Sequence, residues 1–313
     1  MGFGDLGTRA TPFVVSITTF DDQQRLDEGA LREHLRRLAD AEVGVYLAGG
    51  GSGEGFALEL PEIRRIFEIG AEELLGRVPV RAMGFEPHTA SQLHEIMLAA
   101  QEVGLDAAQV YSLDGGHVFR PGPPEMRAYY ADLLKGIDLP LVLSTHPAVG
   151  YSLPSSIVEE LCQEHNVVGL NVTTNDIPYL AEQLGVLRAN GWLEKRISVH
   201  VGGEMHGLTN LALGGQGIVS SMGNLTPRLL ARMHTSYEKG DYHDAEAAFV
   251  RLLDIYVEFT KLGGSRALKV ALDLLGLAGG PPRRPRLPVA EEVIPQIGEL
   301  LIRFDIRAME GLA

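Results

Sequence analysis

The chain has 313 residues, 41 acidic against 27 basic side chains and a formal charge of −14. That balance excludes an extended nucleic-acid surface and disfavours an anionic membrane, since both need clustered Lys and Arg. A 45% hydrophobic and 22% charged composition is globular, and the single cysteine, Cys162, allows neither an intrachain disulfide nor a cysteine-based zinc spacing.

In chain order, short β-type runs at 13–19, 43–48, 78–83, 107–111, 139–145, 167–173, 197–201 and 217–221 alternate with amphipathic stretches. The stretches between them, at 27–41, 61–75, 90–103, 124–135, 154–164, 177–190 and 205–213, repeat apolar residues at helical spacing, as in Leu31, Leu35 and Leu38. Strand–helix units recurring at about 30 residues predict an α/β fold, a closed (β/α)₈ TIM barrel, over an open doubly wound sheet. After Asn224 the strand signal stops, and helices are expected over 227–238, 242–262, 266–275 and 290–304. The expectation is a barrel over 1–225 and a helical extension over 226–313, both in one structural unit, with 279–288 as a loop of the extension. No leader and no apolar run of membrane length is visible, so a cytoplasmic location is expected.

Strand alternation gives the candidate site. In the run 167–173, Val168, Leu170 and Val172 should face the helices, while Gly169, Asn171 and Thr173 point inward. Barrel sites form at the C-terminal strand ends. There the sequence offers Thr18, Gly50, Gly51, Ser52, Gly53, Glu54, Tyr111, Ser144, His146, Asn171, Thr173, His200 and Glu204. The glycine-rich segment Gly49–Gly55 is either a tight turn or an anion site whose backbone N–H groups are uncovered, with Ser52 adding a hydroxyl. His146 ends a strand, where a general base is usefully exposed. His117 is expected on the surface or in a lid. His146, His200, Glu204 and His206 are residue types that bind divalent metals, but no compact ligand motif links them, and no metal or cofactor is assigned. Only five basic residues are Lys: Lys135, Lys195, Lys239, Lys261 and Lys269.

From about Pro12 to Leu301 the chain resembles the dihydrodipicolinate synthase / N-acetylneuraminate lyase family of class I aldolases. The segments that carry the resemblance are Thr18-Thr19-Phe20-Asp21, Gly50-Gly51-Ser52-Gly53-Glu54, Gly76-Arg77-Val78-Pro79-Val80, Asp138–Leu143, Asn166–Leu170, Leu213–Gly217 and Lys269–Leu272. It implies a barrel with C-terminal helices, a homotetramer, and a small 2-oxo acid or sugar acid as partner. The family's imine-forming lysine ends the sixth strand, where this chain has Asn171, whose amide forms no imine. Its fifth-strand tyrosine is replaced by Ser144, and its fourth-loop tyrosine pair by Ser112-Leu113-Asp114. The arginine after the fifth strand is missing from Pro147–Tyr151, and of its hydroxyl pair only Ser52 remains, beside Gly51. None of the five lysines is expected at the barrel mouth; Lys269 matches a helical lysine of the family that forms no imine.

Three functions follow. The first is a divergent lyase in which Gly51 and Ser52 bind carboxylate and His146 acts as acid and base. Asn171 and Ser144 would donate to a developing enolate oxygen, and Thr18, Thr173 and Glu204 would bind substrate. The others are a non-catalytic ligand-binding or assembly homologue, and a metal-dependent aldolase using His146, His200 and Glu204. The first is preferred because fold kinship favours retained chemistry.

Overall fold

Eight parallel strands close on themselves in chain order, with β1 (Phe13–Val15) paired to both β2 (Gly44–Leu47) and β8 (Gly217–Ser220). Between these lie β3 (Val80–Ala82), β4 (Ala107–Tyr111), β5 (Leu141–Thr145), β6 (Val167–Val172) and β7 (Ser198–Gly202). The computed structural model describes residues 11–87, 89–113, 119–193 and 195–312. The fold is therefore the TIM barrel that the strand–helix alternation predicts, with further helices after β8. His117 lies outside the described residues.

Several strands are shorter than their apolar runs, for local reasons. Pro79 and Pro140 carry no N–H for the ladder, so β3 and β5 begin after them, and the proline carbonyls accept from Val45 and Ala108 instead. Beyond Val15, side chains take over from the ladder. The Ile17 N–H donates to Asn224 Oδ1 at 2.9 Å and the Thr18 hydroxyl to the Gly53 carbonyl at 2.7 Å. The run 13–19 thus becomes a strand followed by a pinned loop.

The barrel helices are α1 (Glu28–Asp40), α2 (Leu60–Leu74), α3 (Ala90–Val103), α4 (Pro123–Leu133), α5 (Ser155–Glu164), α6 (Ile177–Ala189), α7 (Gly207–Ala212) and α8 (Pro227–Glu238). Their ends carry the signals expected of caps. Asp27 and Asp176 accept from the first turns of α1 and α6, while α2 and α3 start with reciprocal Glu59/Glu62 and Thr89/Gln92 boxes. Gly104, at φ 82°, closes α3 in the left-handed region. The chain continues through α9 (Tyr242–Lys261), α10 (Ser265–Leu274), α11 (Ile294–Arg303) and α12 (Ile306–Glu310). One hydrophobic cluster includes strand residues such as Val45 and Leu170 together with Leu252, Ile255 and Phe259 of α9 and Leu268 of α10. Glu310 accepts from the Arg228 and Leu229 N–H groups and so caps α8 from the far end of the chain. Among the described residues no helix is long and apolar enough to cross a membrane.

Candidate active site at the C-terminal mouth of the barrel

A cavity of about 550 Å³ opens at the C-terminal ends of the strands. Gly50, Gly51, Ser52, Ser144, His146, Asn171, Thr173 and Glu204 all line it, together with Glu86, Gln109, Tyr111 and His206. Tyr256 of α9 reaches its wall, so the helices after the barrel contribute to the mouth. No described lining residue is Lys or Arg.

The β2 wall is the glycine-rich segment, folded tightly on itself. A Cβ on Gly55 would strike the Ala48 carbonyl oxygen, and Ala48 and Glu54 adopt positive φ of 55° and 54°. Such strain persists only where surroundings enforce it. Here Glu54, buried beneath the loop, pairs with Lys269 of α10 at 2.6 Å, both side chains 2% exposed. The second Glu54 oxygen accepts from the Arg283 N–H at 2.9 Å, and Lys269 also donates to the Pro281 carbonyl. Arg286 donates to the Gly51 carbonyl at 3.1 Å, and the Arg283 guanidinium to Glu62, Ala57 and Gln24. The segment 279–288, expected as a loop of the extension, is thus the buckle that holds the β2 loop. Burial lowers the Lys269 pKa, and the Glu54 charge opposes that shift. Lys269 faces this buckle rather than the cavity, and Lys135, Lys195, Lys239 and Lys261 are exposed on the outside.

Within this loop the predicted hydroxyls are occupied. Ser52 donates to the Val15 carbonyl at 2.6 Å. Thr18, 1% exposed, is absent from the lining and ties β1 to the loop through Gly53. Backbone donors are left there instead: among the described residues the Gly50, Gly51 and Ser52 N–H groups give no hydrogen bond to a carbonyl, and all three residues line the cavity.

Beneath the cavity, inward residues of the strands form a polar floor, in which Asn171 and His200 were expected and Tyr46, Arg81 and Gln109 were not. Arg81, 1% exposed, donates to the Tyr46 hydroxyl at 3.0 Å and lies 4.1 Å from the Phe13 ring centroid. Asn171 donates both amide hydrogens, to the Tyr46 hydroxyl at 3.0 Å and to Gln109 Oε1. It therefore differs from the expectation in one respect that matters: its donors are used and only its carbonyl oxygen is unpartnered. The signal for the floor was present, since a charged or amide residue inside a short apolar strand run, such as Arg81 or Gln109, can only face a barrel interior. His200 completes the floor, its Nε2 against the Thr11 carbonyl at 2.9 Å and its ring edge-on to Phe13. Burial pushes its pKa down to about 3.

The β5–β7 wall keeps unpartnered atoms. His146 is half-buried, its backbone N–H bonded to the Tyr151 carbonyl and its Nδ1 without a partner. Burial lowers its pKa; its own backbone and, less strongly, the Glu86 charge pull the other way. Glu204, fully buried, accepts on Oε1 from the Ser220 hydroxyl at 2.6 Å and the Ser221 and Met222 N–H groups at 3.0 and 2.9 Å, leaving Oε2 without a partner. Thr173 packs so closely on Gly202 that any side chain there would collide with it. Although His146, Glu204 and His206 share the cavity, no three His, Cys, Asp or Glu side chains among the described residues are grouped to hold a metal ion. Of the expected metal set, His200 does not line the cavity, and its Nε2 bonds to the Thr11 carbonyl.

Comparison with known proteins agrees with this architecture. The model of the dihydrodipicolinate synthetase family matches residues 10–303. The 4-hydroxy-tetrahydrodipicolinate synthase of Methanospirillum hungatei is 28% identical over 296 residues, 94% of this chain and 98% of that protein. That of Methanopyrus kandleri is 27% identical over 298 residues, 93% and 94% of the two chains. Among solved structures, YagE of E. coli K12, a prophage protein of the dihydrodipicolinic acid synthase family in complex with pyruvate, superposes with a TM-score of 0.83 at 23% identity. The match covers 95% of this chain and 99% of that one.

Proposed function

The chain belongs to the dihydrodipicolinate synthetase family, and from that premise we propose that it is a carbon–carbon or carbon–oxygen lyase that works without a lysine imine. The substrate class is a small 2-oxo acid or sugar acid. One observation carries the reading: His146, whose Nδ1 has no partner, lines a cavity with no lysine among its described lining residues.

In this reading His146 removes a proton next to the substrate carbonyl or from a hydroxyl, and the electron pair moves onto the carbonyl oxygen as an enolate. Collapse of the enolate expels a β-hydroxyl as water, using the His146 proton. In the carbon–carbon case the enolate forms by cleavage, and the proton returns to carbon. The Ser144 hydroxyl, which bonds to no described residue, and the Gly50–Ser52 N–H groups are the donors for the oxyanion and the carboxylate. Asn171 is placed as an acceptor, so it binds or orients rather than stabilising negative charge. Assembly as a homotetramer and a cytoplasmic location belong to the same proposal and rest on family membership.

The experiment is turnover of a panel of 2-oxo acids and sugar acids by wild type and His146→Ala, with borohydride trapping on pyruvate alongside. The expected result is turnover that falls by about 10²- to 10⁴-fold in the variant, with no trapped adduct. A borohydride-stable adduct would overturn the imine-free route. Absence of turnover across the panel would favour a non-catalytic ligand-binding homologue.

A further inference from the structure

We infer that the inner part of the cavity reads hydrogen-bond donors on its ligand, with Asn171 and Glu204 as specificity-determining residues, and that the ligand is a polyhydroxylated or amino-substituted compound. A bare 2-oxo acid does not meet this requirement. The inference rests on the cavity being the substrate site.

The hydrogen bonds in the floor run in one direction. The Tyr111 hydroxyl donates to the Gly84 carbonyl at 3.4 Å, and Gln109 Oε1 accepts from the Asn171 amide. Asn171 therefore presents its NH₂ group to Gln109 and to the Tyr46 hydroxyl, which also accepts from Arg81, a group that can only donate. The carbonyl oxygen of Asn171, a residue 3% exposed, is left without a partner. The position where an imine route needs a nucleophilic amine thus offers an acceptor, the reverse polarity.

Glu204 repeats the pattern on the neighbouring strand's loop. Four donors from Ser220, Ser221 and Met222 converge on its Oε1, and its Oε2, on a fully buried side chain that lines the cavity, has none. A buried acceptor without a partner has lost its water and gained nothing in return, so a ligand that supplies a donor to each recovers both losses. The charges agree with this. Glu86 and Glu204 are the charged side chains among the described lining residues, and neither Lys nor Arg offsets them. Pyruvate at neutral pH has a carboxylate and a ketone, all acceptors. A compound with vicinal hydroxyls or an ammonium group has the donors, and sites built to bond a hydroxyl reject analogues that lack it.

Equilibrium binding by calorimetry on the full chain tests this, with pyruvate, D-gluconate and D-glucamine as probes. Gluconate and glucamine, or glucamine alone if the donor is an ammonium group, should bind at least about tenfold more tightly than pyruvate. Asn171→Leu and Glu204→Gln should each remove most of that preference. Asn171→Asp, which keeps an oxygen towards the cavity, should retain it, and Asn171→Lys should gain pyruvate affinity. Pyruvate binding as tight as both other probes, no measurable binding of either hydroxylated probe, or unchanged preference in folded Asn171→Leu and Glu204→Gln would each overturn the inference. Because binding is read rather than turnover, hydroxyl-selective binding without catalysis would refute the lyase reading alone. Turnover with tight pyruvate binding would refute this inference alone.

Discussion

On the β2 side of the cavity the polar side chains are spent on one another, whereas on the β5–β7 side several polar atoms are left without partners. Ser52, Thr18, Glu54 and Lys269 hold a strained glycine-rich loop in place, so that wall presents backbone N–H groups at fixed positions. His146, Asn171 and Glu204 instead keep one atom each in reserve. Satisfied polar groups fix shape. Unsatisfied buried ones store a cost that a ligand can relieve, which is why the two walls should respond to mutation in opposite ways.

The sharpest way to break that contrast is Lys269→Met. Removing one partner of a buried ion pair leaves Glu54 uncompensated and should cost about 3–5 kcal/mol, measured by denaturant unfolding. A change below about 1 kcal/mol, the value of an exposed pair, would mean that the buckle contributes no more than a surface bridge. Acidification probes the buried histidines next. His34 of α1, whose Nε2 bonds to Asn224 Oδ1 at 2.8 Å, and His200 of the floor are buried and neutral, each with a pKa pushed down to about 3 by desolvation. Between the ordinary histidine value of 6.5 and that lowered one, the unfolded chain binds protons that the folded chain does not. Stability from each residue is therefore present above pH 6.5 and should fall as pH drops, by about 1.4 kcal/mol per pH unit. A flat unfolding free energy from pH 7 to 5 would contradict the buried, neutral histidines.

Smaller effects separate the walls residue by residue. Thr18→Val should lose about 1 kcal/mol of stability by freeing the Gly53 carbonyl, while Ser144→Ala should leave stability within about 0.5 kcal/mol and lower turnover. Equal losses of stability in both would erase the distinction. Finally, Glu86→Gln removes the charge that raises the His146 pKa, so the acidic limb of the pH–rate profile should move lower. An upward or absent shift would argue against His146 as the titrating base.

Much of the candidate site was legible because β periodicity assigns faces. The inward set Gly169, Asn171 and Thr173 and the exposed strand-end position of His146 follow from alternation and from the proline after it. Thr18 misled because its type suits substrate binding, yet its neighbour in space is Gly53, 35 residues away. Arg286 and Arg283 were read as parts of a remote loop, since nothing local says that the segment 279–288 returns to the β2 turn.

What the sequence determined by itself is the barrel and the residue types that meet at its mouth. Both depend on residue identity and short-range order: the strand–helix alternation, and an asparagine on the inward face of the sixth strand. Only the tertiary structure decided what that asparagine does. Whether an amide shows its donor or its acceptor to a cavity depends on which partners claim the other end. Those partners, Tyr46 and Gln109, come from two other strands, 125 and 62 residues away.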